Sequence, residues 1–411
     1  MPEIIDKVWV VWYSKQRDIY GSGNHCLIFT VLCVRKMSVL RTCKEKGNTF
    51  MDQYSYKFET RRIDVEHTRD LLSEMPDFCV EFINDKLGTE TYTPKTCLEY
   101  TRNLKSFLEY IVSPGQIYAG TNPREITLEM MEKLTYRTVS DYMSYLTSYQ
   151  AESGKRYTNG AAAKARKLAA IRSMYNFYIK RHKISNNPCI AIDTPRADQK
   201  DIVYLRENEK KAFYRSVNFG EGLTKKQKEV SEHQKMRDYM IITLFLATGM
   251  RVSELVGIDL DDINSYTGSI MINRKGRKSF QNIYLDNRMM ELINDYVKNY
   301  RMDFYPVDSE RSLFLNREGN RISVRSVEKI IKKYANASLG AGNKITPHKL
   351  RSTYGTDLYQ ETGDIYLVAD ALGHSNVNTT TKHYANMSET QRKKAADYGS
   401  KIALQEEDEG K

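Results

Sequence analysis

The sequence predicts a mainly α-helical protein with two domains and a small antiparallel β-sheet in the second domain. Apolar residues recur at helical spacing over residues 77–187 and again from Ser323 onward. Between these regions, two runs typical of strands, Ser269–Asn273 and Phe280–Leu285, flank a short basic segment that contains a glycine, as in a β-hairpin. The proline-containing residues 188–201 are predicted to link the two domains.

Composition limits the class of protein. The chain has 411 residues, of which 40% are hydrophobic and 28% charged, enough for two or three domains with apolar cores. The formal net charge of +11 favours a polyanionic partner. Six cysteines show no Cys-x-x-Cys spacing, which suits a reducing cytosol and offers no zinc site. The apolar runs Cys26–Val34 and Met240–Ala247 are too short to cross a bilayer, so we expect a cytoplasmic protein without membrane contact.

Residues 1–72 are the part of the chain that the sequence explains least, and we treat them as an N-terminal extension. Both tryptophans and three of the six cysteines lie in the first 50 residues, and the composition changes at Met51. One interpretation is that Met51 is the true start and that the preceding stretch is upstream sequence.

Residues 73–187 form the predicted helical domain. Pro94 suits the first position of a helix whose apolar residues recur every three to four positions. Val139–Tyr149 is a second amphipathic stretch, and a third runs from about Gly160 to Lys183. The apolar stripe of the third stretch consists of Leu168, Ile171, Tyr175 and Tyr178.

Nine basic residues and no acidic residues lie between positions 155 and 183. A solvated helix face is the simplest explanation, but surface helices usually mix both signs of charge. An all-basic amphipathic helix more often follows a phosphate backbone, so this helix is predicted to contact nucleic acid. The candidate contacts are Lys164, Arg166, Lys167 and Arg172.

Residues 202–390 form the second predicted domain, followed by an acidic tail at 391–411. Tyr239–Ala247 is nearly all apolar and should be a buried helix. Arg251 follows this helix after a glycine, so its backbone would be held rigidly. A guanidinium group there can bind two non-bridging phosphate oxygens at once. The alternative is an ordinary helix-end arginine paired with Glu254.

A second pair of cationic residues lies at a predicted helix start. Thr346 and Pro347 suit the N-cap and the first helical position. This start places His348 and Arg351 three residues apart on one face of the first turn. The helix N-terminus adds partial positive charge there. A capping histidine and a surface arginine are the alternatives, but the pairing favours phosphate binding.

Three further residues are candidates for proton transfer or nucleophilic attack. His374, next to Gly373, could donate to a phosphate oxygen or transfer a proton near neutral pH, although a turn histidine bonded to backbone is the alternative. Tyr384 is one of 29 tyrosines, and its closeness to the other candidates makes it a candidate nucleophile. Lys275, at the tip of the hairpin, could protonate a leaving oxygen or serve only for solubility.

Three aspartates, Asp259, Asp261 and Asp262, form a competing constellation, because clustered carboxylates can hold two magnesium ions for phosphoryl transfer. They stand at a turn, however, where helix capping explains them more simply. We therefore expect no metal site.

Taken together, these residues resemble the tyrosine recombinases of the phage integrase and Xer type, over roughly residues 75–390. The similarity is most specific in residues 247–255 (ATGMRVSEL), 346–351 (TPHKLR) and 372–375 (LGHS), which are followed by Tyr384. The positions that match the family's catalytic residues and its supporting carboxylate are Arg251, Lys275, His348, Arg351, His374, Tyr384 and Glu254.

The resemblance implies a helical core DNA-binding domain at 73–187 joined to the tyrosine recombinase catalytic fold at 202–390. It implies a site-specific recombinase or integrase that cleaves and rejoins DNA through a 3′-phosphotyrosine on Tyr384, for integration or excision of a mobile element. The expected partners are double-stranded DNA, further copies of the chain in a homotetramer, and an accessory directionality factor. No cofactor is expected, neither a metal nor ATP.

Two alternatives stay open at this point. A type IB topoisomerase-like enzyme would share the chemistry but relax supercoils; the separate basic helical domain favours the recombinase. A non-catalytic DNA-binding regulator could have the same fold, but the complete set of matched residues argues against it.

Overall fold

The computed structural model describes residues 56–150, 154, 156–196, 203–273, 280–307, 310–374, 376–377 and 381. The chain divides into two compact units between residues 197 and 198. This division falls inside the predicted linker, residues 188–201. No helix in the part of the chain that the structure describes is both long enough and apolar enough to cross a membrane.

The first unit is helical, with one pair of very short antiparallel strands, β1 and β2, in which Tyr149 is opposite Tyr157. A single turn of 3-10 helix covers Pro123–Glu125. The regular elements are α1 (Tyr56–Leu72), α2 (Asp77–Gly88), α3 (Pro94–Ile111), α4 (Leu128–Glu132), α5 (Tyr136–Tyr145), β1 (Tyr149–Gln150), β2 (Arg156–Tyr157) and α6 (Ala161–Ile179).

Local sequence explains where α3 begins. Pro94 is its first residue, and the Thr93 hydroxyl accepts a hydrogen bond from the Thr96 backbone N–H. The predicted start of this helix is therefore confirmed. The unit's core is rich in aromatic residues, and two of the buried hydroxyls have backbone acceptors: Tyr175 donates to the Met131 carbonyl and Tyr178 to the Phe78 carbonyl, each at 2.7 Å.

Two predicted helices are shorter in the structure than in the sequence analysis. The stretch predicted to reach Tyr149 is helical only to Tyr145, because Tyr149 pairs in β1. Helix α6 ends at Ile179 rather than near Lys183. Its predicted apolar stripe is confirmed, since all four of its side chains are fully buried.

Helix α1 lies inside the segment that the sequence analysis treated as an extension. It packs against α3, and Leu72 at its end belongs to the apolar core of the unit. The described part of that segment, residues 56–72, therefore folds with the helical unit. Residues 1–55, with the proposed start at Met51, lie outside the described part of the chain.

The second unit combines helices with a three-stranded sheet. Short 3-10 or π turns cover Glu232–Gln234, Leu260–Asp262, Tyr296–Tyr300 and Arg301–Phe304. The regular elements are α7 (Glu207–Phe219), α8 (Lys225–Ser231), α9 (Lys235–Thr248), α10 (Val252–Val256), β3 (Ile263–Asn264), β4 (Ser269–Asn273), β5 (Phe280–Tyr284), α11 (Asn287–Asp295), α12 (Val324–Leu339), α13 (Pro347–Thr362) and α14 (Ile365–Leu372).

The sheet has the order β3-β4-β5 and is antiparallel throughout. Ile270 is opposite Ile283, which gives one apolar row. The predicted strands are confirmed, with β5 ending one residue earlier than predicted. The residues that join them, 274–279, lie outside the described part of the chain. The predicted fold class, mainly α with a small antiparallel sheet, is confirmed.

The prediction of a buried helix over Tyr239–Ala247 is confirmed by α9, in which Met240–Phe245 are buried. Its first turn carries Asp238, which is fully buried and accepts hydrogen bonds from Arg237, from Lys333 at 2.8 Å and from Tyr334 at 3.1 Å. A buried carboxylate is tolerated only when it is paired in this way. The network fixes the N-terminal part of α9 against α12.

Candidate active site

Arg251 is placed by the way α9 ends. Gly249 adopts a left-handed conformation, with φ of +60°, and its N–H donates to the Phe245 carbonyl at 2.9 Å. Such a cap reverses the chain direction and favours glycine. Met250 is then fully buried. Arg251 follows as the N-cap of α10.

Glu254 holds Arg251 at two places. Its Oε2 accepts from the Arg251 backbone N–H at 2.8 Å, and its Oε1 accepts from the guanidinium Nη1 at 2.8 Å. The Glu254 side chain is only 3% exposed, whereas that of Arg251 is 30% exposed. The pairing that the sequence analysis offered as an alternative to phosphate binding is therefore present. It engages one edge of the guanidinium and leaves the group partly accessible.

Arg351 bridges the ends of two helices. It lies in the second turn of α13, which begins at Pro347 after Thr346, as predicted. Its Nη1 donates to the Gly249 carbonyl at 2.6 Å, and its Nη2 donates to the Leu372 carbonyl. Arg351 is 4% exposed, so these carbonyl dipoles replace solvent around the charge. The predicted surface alternative for Arg351 is wrong.

His348 lies three residues before Arg351 in the chain, and His374 follows Leu372 and Gly373, whose carbonyls the two arginines approach. His348 is the second residue of α13 and is exposed. His374 follows Gly373, which ends α14 in a left-handed conformation, and its backbone N–H donates to the Ala369 carbonyl at 2.9 Å. Arg251 Nη2 lies 3.4 Å from the Gly373 carbonyl.

The structure thus brings both arginines to the segment that leads into His374. Arg351 contacts Leu372, and Arg251 contacts Gly373. Among the described residues, the hydrogen bonds of this network join the two guanidinium groups to one carboxylate, that of Glu254, so these three side chains together carry net positive charge. Preorganised cations of this kind favour the binding of an anion with several oxygens, such as a phosphate.

Lys275 and Tyr384 lie outside the described residues. The strands on either side of Lys275, β4 and β5, are paired, and Tyr384 comes ten residues after His374 in the chain. The roles of both residues therefore stay predictions.

The three aspartates of the competing constellation are engaged in other ways. Asp262 accepts from the Asp259 backbone N–H at 2.8 Å, and burial raises the pKa of the Asp262 carboxyl. Asp259 pairs with Arg321, and Asp261 with Arg311. The capping interpretation is confirmed for Asp262. Across the described ranges, no three histidine, cysteine or acidic residues are grouped so that they could hold a metal ion.

Three of the four predicted DNA contacts lie on the first two turns of α6. Lys164 donates to the Thr147 hydroxyl at 2.6 Å, and Arg166 is exposed. Lys167 is half-buried and donates to the Ser106 hydroxyl at 3.1 Å; burial lowers the pKa of its ammonium group. Lys164 and Arg166 therefore offer more accessible charge than Lys167.

Arg172 makes contacts within the chain that the sequence analysis did not predict. Its Nη2 donates to the Cys189 carbonyl at 3.1 Å and to the Ile192 carbonyl at 2.8 Å, and its Nη1 donates to the Thr194 hydroxyl at 3.1 Å. The guanidinium group fastens residues 189–194 onto α6. We therefore leave Arg172 out of the proposed DNA-binding set.

Apart from Glu254, the acceptors that hold the arginines are backbone oxygens, which the sequence analysis did not identify. They are the backbone carbonyls of Gly249, Leu372 and Gly373. A sequence pattern identifies side chains by type but carries little information about backbone oxygens. The only available signal was that both glycines stand at helix ends, where carbonyls lack helical partners.

Comparison with known proteins identifies the family of the chain. Residues 219–391 match the sequence profile of the phage integrase family. The chain is 31% identical over 328 residues to the tyrosine recombinase XerC of Caldanaerobacter subterraneus subsp. tengcongensis, which covers 78% of this chain and 86% of the relative. It is also 31% identical over 243 residues to the tyrosine recombinase XerD of Staphylococcus saprophyticus, over 59% of this chain and 78% of the relative.

Solved structures share the fold at lower identity. A XerH site-specific recombinase bound to palindromic difH substrate is 19% identical, with a TM-score of 0.57, and the match covers 83% of this chain and 97% of that chain. The Tn1549 transposon integrase in complex with transposon right end DNA is 18% identical, with a TM-score of 0.56, over 77% and 98% of the two chains. The chain therefore belongs to the phage integrase family, the tyrosine recombinases that cleave and rejoin DNA.

Proposed function

We propose that this chain carries out site-specific DNA recombination with Tyr384 as the nucleophile and Arg251, Arg351 and His374 around the scissile phosphate. The observation that carries the proposal is the Arg251–Arg351 pair, which is fixed by Glu254 and by the carbonyls of two helix ends. Cations fixed before the substrate arrives need little reorganisation when charge develops.

In the proposed cleavage step, the Tyr384 oxygen attacks phosphorus and the bond from phosphorus to the 5′-oxygen breaks. The tyrosine proton passes to His348, the electron pair stays on the 5′-oxygen, and Lys275 supplies a proton to that oxygen. The products are a 3′-phosphotyrosine and a free 5′-hydroxyl. Attack by the 5′-hydroxyl of a second strand reverses the step and joins new partners.

The arginines act on the transition state more than on the bound substrate. A phosphodiester has one negative charge, and the pentavalent transition state has about one more. Groups that bind this added charge lower the barrier, because their interaction is stronger in the transition state than in the ground state. The phosphotyrosine conserves the energy of the broken bond, so the proposed reaction needs no nucleotide cofactor.

The partners of the proposed reaction are duplex DNA and further copies of the chain. We assign backbone contacts to Lys164, Arg166 and, more weakly, Lys167 in the predicted domain 73–187, and the chemistry to the predicted domain 202–390. Strand exchange between two duplexes calls for four active sites, and hence a homotetramer on DNA. We further propose that the protein acts in the cytoplasm, that it integrates or excises a mobile element, and that an accessory factor sets the direction of the reaction.

A nicked suicide duplex tests the nucleophile. The duplex carries the end sequence of the element that encodes the chain, and the readout is a covalent protein–DNA adduct on a denaturing gel. Wild type and Tyr366→Phe, a change at an exposed tyrosine of the same unit, should form the adduct, whereas Tyr384→Phe should not. An adduct with Tyr384→Phe would mean that another residue is the nucleophile.

Two further measurements separate the proposal from related activities. Relaxation of supercoiled plasmids that lack the specific sequence would indicate a topoisomerase-like enzyme. Specific binding without any adduct from the wild type would indicate a DNA-binding regulator.

The tail, residues 391–411, offers a test of assembly. We propose that the segment after Tyr384 docks on a neighbouring copy. Deletion of the residues that follow Asn386 should abolish tetramer-dependent recombination while DNA binding by the shortened chain stays at the wild-type level. Full recombination by the shortened chain would exclude this role.

A further inference from the structure

Tyr354 lies one turn after Arg351 on α13, so the two side chains share a face of the helix. Its ring is packed on the backbone of Gly249. A Cβ atom added to Gly249 would lie 2.3 Å from Tyr354 Cδ1 and 3.0 Å from Leu372 Cδ2. The space that any other residue would need at position 249 is therefore occupied by the ring and by the end of the Leu372 side chain.

The residues that Tyr354 contacts are also those that hold Arg351. The Gly249 carbonyl and the Leu372 carbonyl accept hydrogen bonds from the two terminal nitrogens of Arg351. Tyr354 also packs in the small apolar cluster around Val368 and Leu372. The ring thus fills the space between the ends of α9 and α14, and the Arg351 guanidinium bridges the same two ends through their carbonyls.

We propose that Tyr354 is a positioning residue for Arg351, an inference that rests on the proposed function. The ring keeps the Gly249 and Leu372 carbonyls at the separation that the two terminal nitrogens of the Arg351 guanidinium group can bridge. The ring acts on Arg251 as well. Gly249 lies two residues before Arg251, and Leu372 is followed by Gly373, whose carbonyl Arg251 approaches. One aromatic side chain therefore sets the relative placement of both cations.

The size of the ring is what matters for this role. A smaller side chain would leave a void, and the surrounding elements would close it in part. Closure would move the Gly249 carbonyl relative to the Leu372 carbonyl, and the planar guanidinium cannot adapt to both acceptors at once. Misplacement of a group in the site by about 1 Å can lower a rate by about 100-fold.

Three variants of the full chain test the proposal. Tyr354→Leu removes the ring, and Tyr354→Phe keeps it. Tyr359→Leu removes another ring from the same helix and apolar cluster, and Tyr359 is not among the three closest neighbours of a Cβ at Gly249. The probe is the same nicked suicide duplex, used to measure its Kd and, at saturation, the single-turnover rate of adduct formation.

Tyr354→Leu should lower the adduct rate by about 100-fold with a Kd close to that of the wild type. Tyr354→Phe should keep the wild-type adduct rate, and Tyr359→Leu should leave that rate nearly unchanged. In the Arg351→Lys background, the loss caused by Tyr354→Leu should shrink, because lysine cannot bridge both carbonyls. Equal losses in both backgrounds, or equal losses for the two leucine variants, would overturn the proposal.

Hydrogen exchange in the free protein gives a test that does not need cleavage. The N–H groups of Gly249, Gly373 and His374 are hydrogen-bonded at the two helix ends. Tyr354→Leu should speed their exchange without changing that of β4 and β5, and Tyr354→Phe should not. Unchanged exchange at all three amides, or faster exchange throughout the unit, would overturn the positioning role. If the wild type forms no adduct, the proposed function is wrong. Hydrogen exchange would still show whether Tyr354 positions the ends of α9 and α14.

Should Tyr354→Leu fail to fold, Tyr354→Met takes its place, because methionine fills irregular space with a flexible side chain. For Tyr354→Met we expect a loss of adduct rate smaller than that predicted for Tyr354→Leu, together with faster exchange at the same three amides. A wild-type adduct rate with wild-type exchange at these amides would overturn the proposal.

Discussion

Glu254 binds Arg251 through both of its carboxylate oxygens, one on the backbone N–H and one on the guanidinium, each at 2.8 Å. The first contact fixes where α10 begins, and the second fixes the direction of the side chain. A single buried carboxylate therefore starts a helix and orients the cation that precedes it.

The first prediction concerns Glu254→Ala. This change removes both acceptors, so we expect the free energy of unfolding to fall by about 2 kcal/mol. We expect the adduct rate at saturating duplex to fall at least about tenfold, because Arg251 loses its orientation. Urea denaturation and the suicide-duplex assay measure the two effects. Glu328→Ala, at an exposed position on α12, is the control. A wild-type rate for Glu254→Ala would show that Arg251 is oriented without Glu254.

The second prediction concerns Arg351→Lys. Lysine keeps the charge but has a single ammonium group, which cannot donate to the Gly249 and Leu372 carbonyls with the same geometry. We expect the adduct rate to fall by about 100-fold or more while the Kd for the duplex changes little. Arg311→Lys, at an exposed arginine of the same unit, should keep the wild-type rate. Full activity of Arg351→Lys would mean that charge alone suffices at this position.

The sequence predicted those elements whose own residues carry the signal. Helix α3 was predictable because Pro94 precedes an amphipathic run, and α9 because Tyr239–Ala247 is nearly all apolar. Helix α1 was not predicted, because its sequence is dominated by charged residues and has weak periodicity. The two-residue strands β1 and β2 depend on one cross-strand pairing and were also missed.

The same limit applies to the site. Arg251 and Arg351 could be selected because their side chains carry the chemistry. Arg172 was assigned to DNA because the residues of a basic run look alike in a sequence. Its actual contacts, with carbonyls of residues 189–192, exist only after the chain has folded back on α6. Tertiary contacts of this kind cannot be inferred from spacing alone.

The third prediction concerns DNA binding by α6. Each lysine or arginine that neutralises a phosphate adds to the slope of log affinity against log salt concentration. Lys164→Ala and Arg166→Ala should each weaken binding of the duplex and reduce this slope by about one. Lys180→Ala, at an exposed lysine beyond the end of the helix, is a control of equal charge. An unchanged slope for both α6 variants would remove this helix surface from the DNA-binding site.

The fourth prediction concerns Arg172→Gln. The shorter amide cannot reach all three acceptors, so residues 189–194 should detach from α6 more often. We expect faster limited proteolysis within residues 189–196 and no change in the salt slope of DNA binding. Arg166→Gln, at an exposed residue of the same helix, should leave proteolysis unchanged. A reduced salt slope with unchanged proteolysis would return Arg172 to the set of DNA contacts.

The fifth prediction concerns stability at alkaline pH. Burial raises the pKa of Tyr214 from 10.0 to about 12. Because the pKa in the folded state exceeds the ordinary value, the neutral phenol contributes stability that is fully present below about pH 10 and is lost as the pH rises toward 12. The loss from this one group is on the order of 2 kcal/mol.

Tyr214→Phe cannot ionise, so its free energy of unfolding should fall less between pH 8 and pH 11 than that of the wild type. Urea denaturation at the two pH values measures the difference, with Tyr284→Phe, at an exposed tyrosine, as the control. Equal falls for Tyr214→Phe and the wild type would show that Tyr214 ionises in the folded protein as readily as in the unfolded chain.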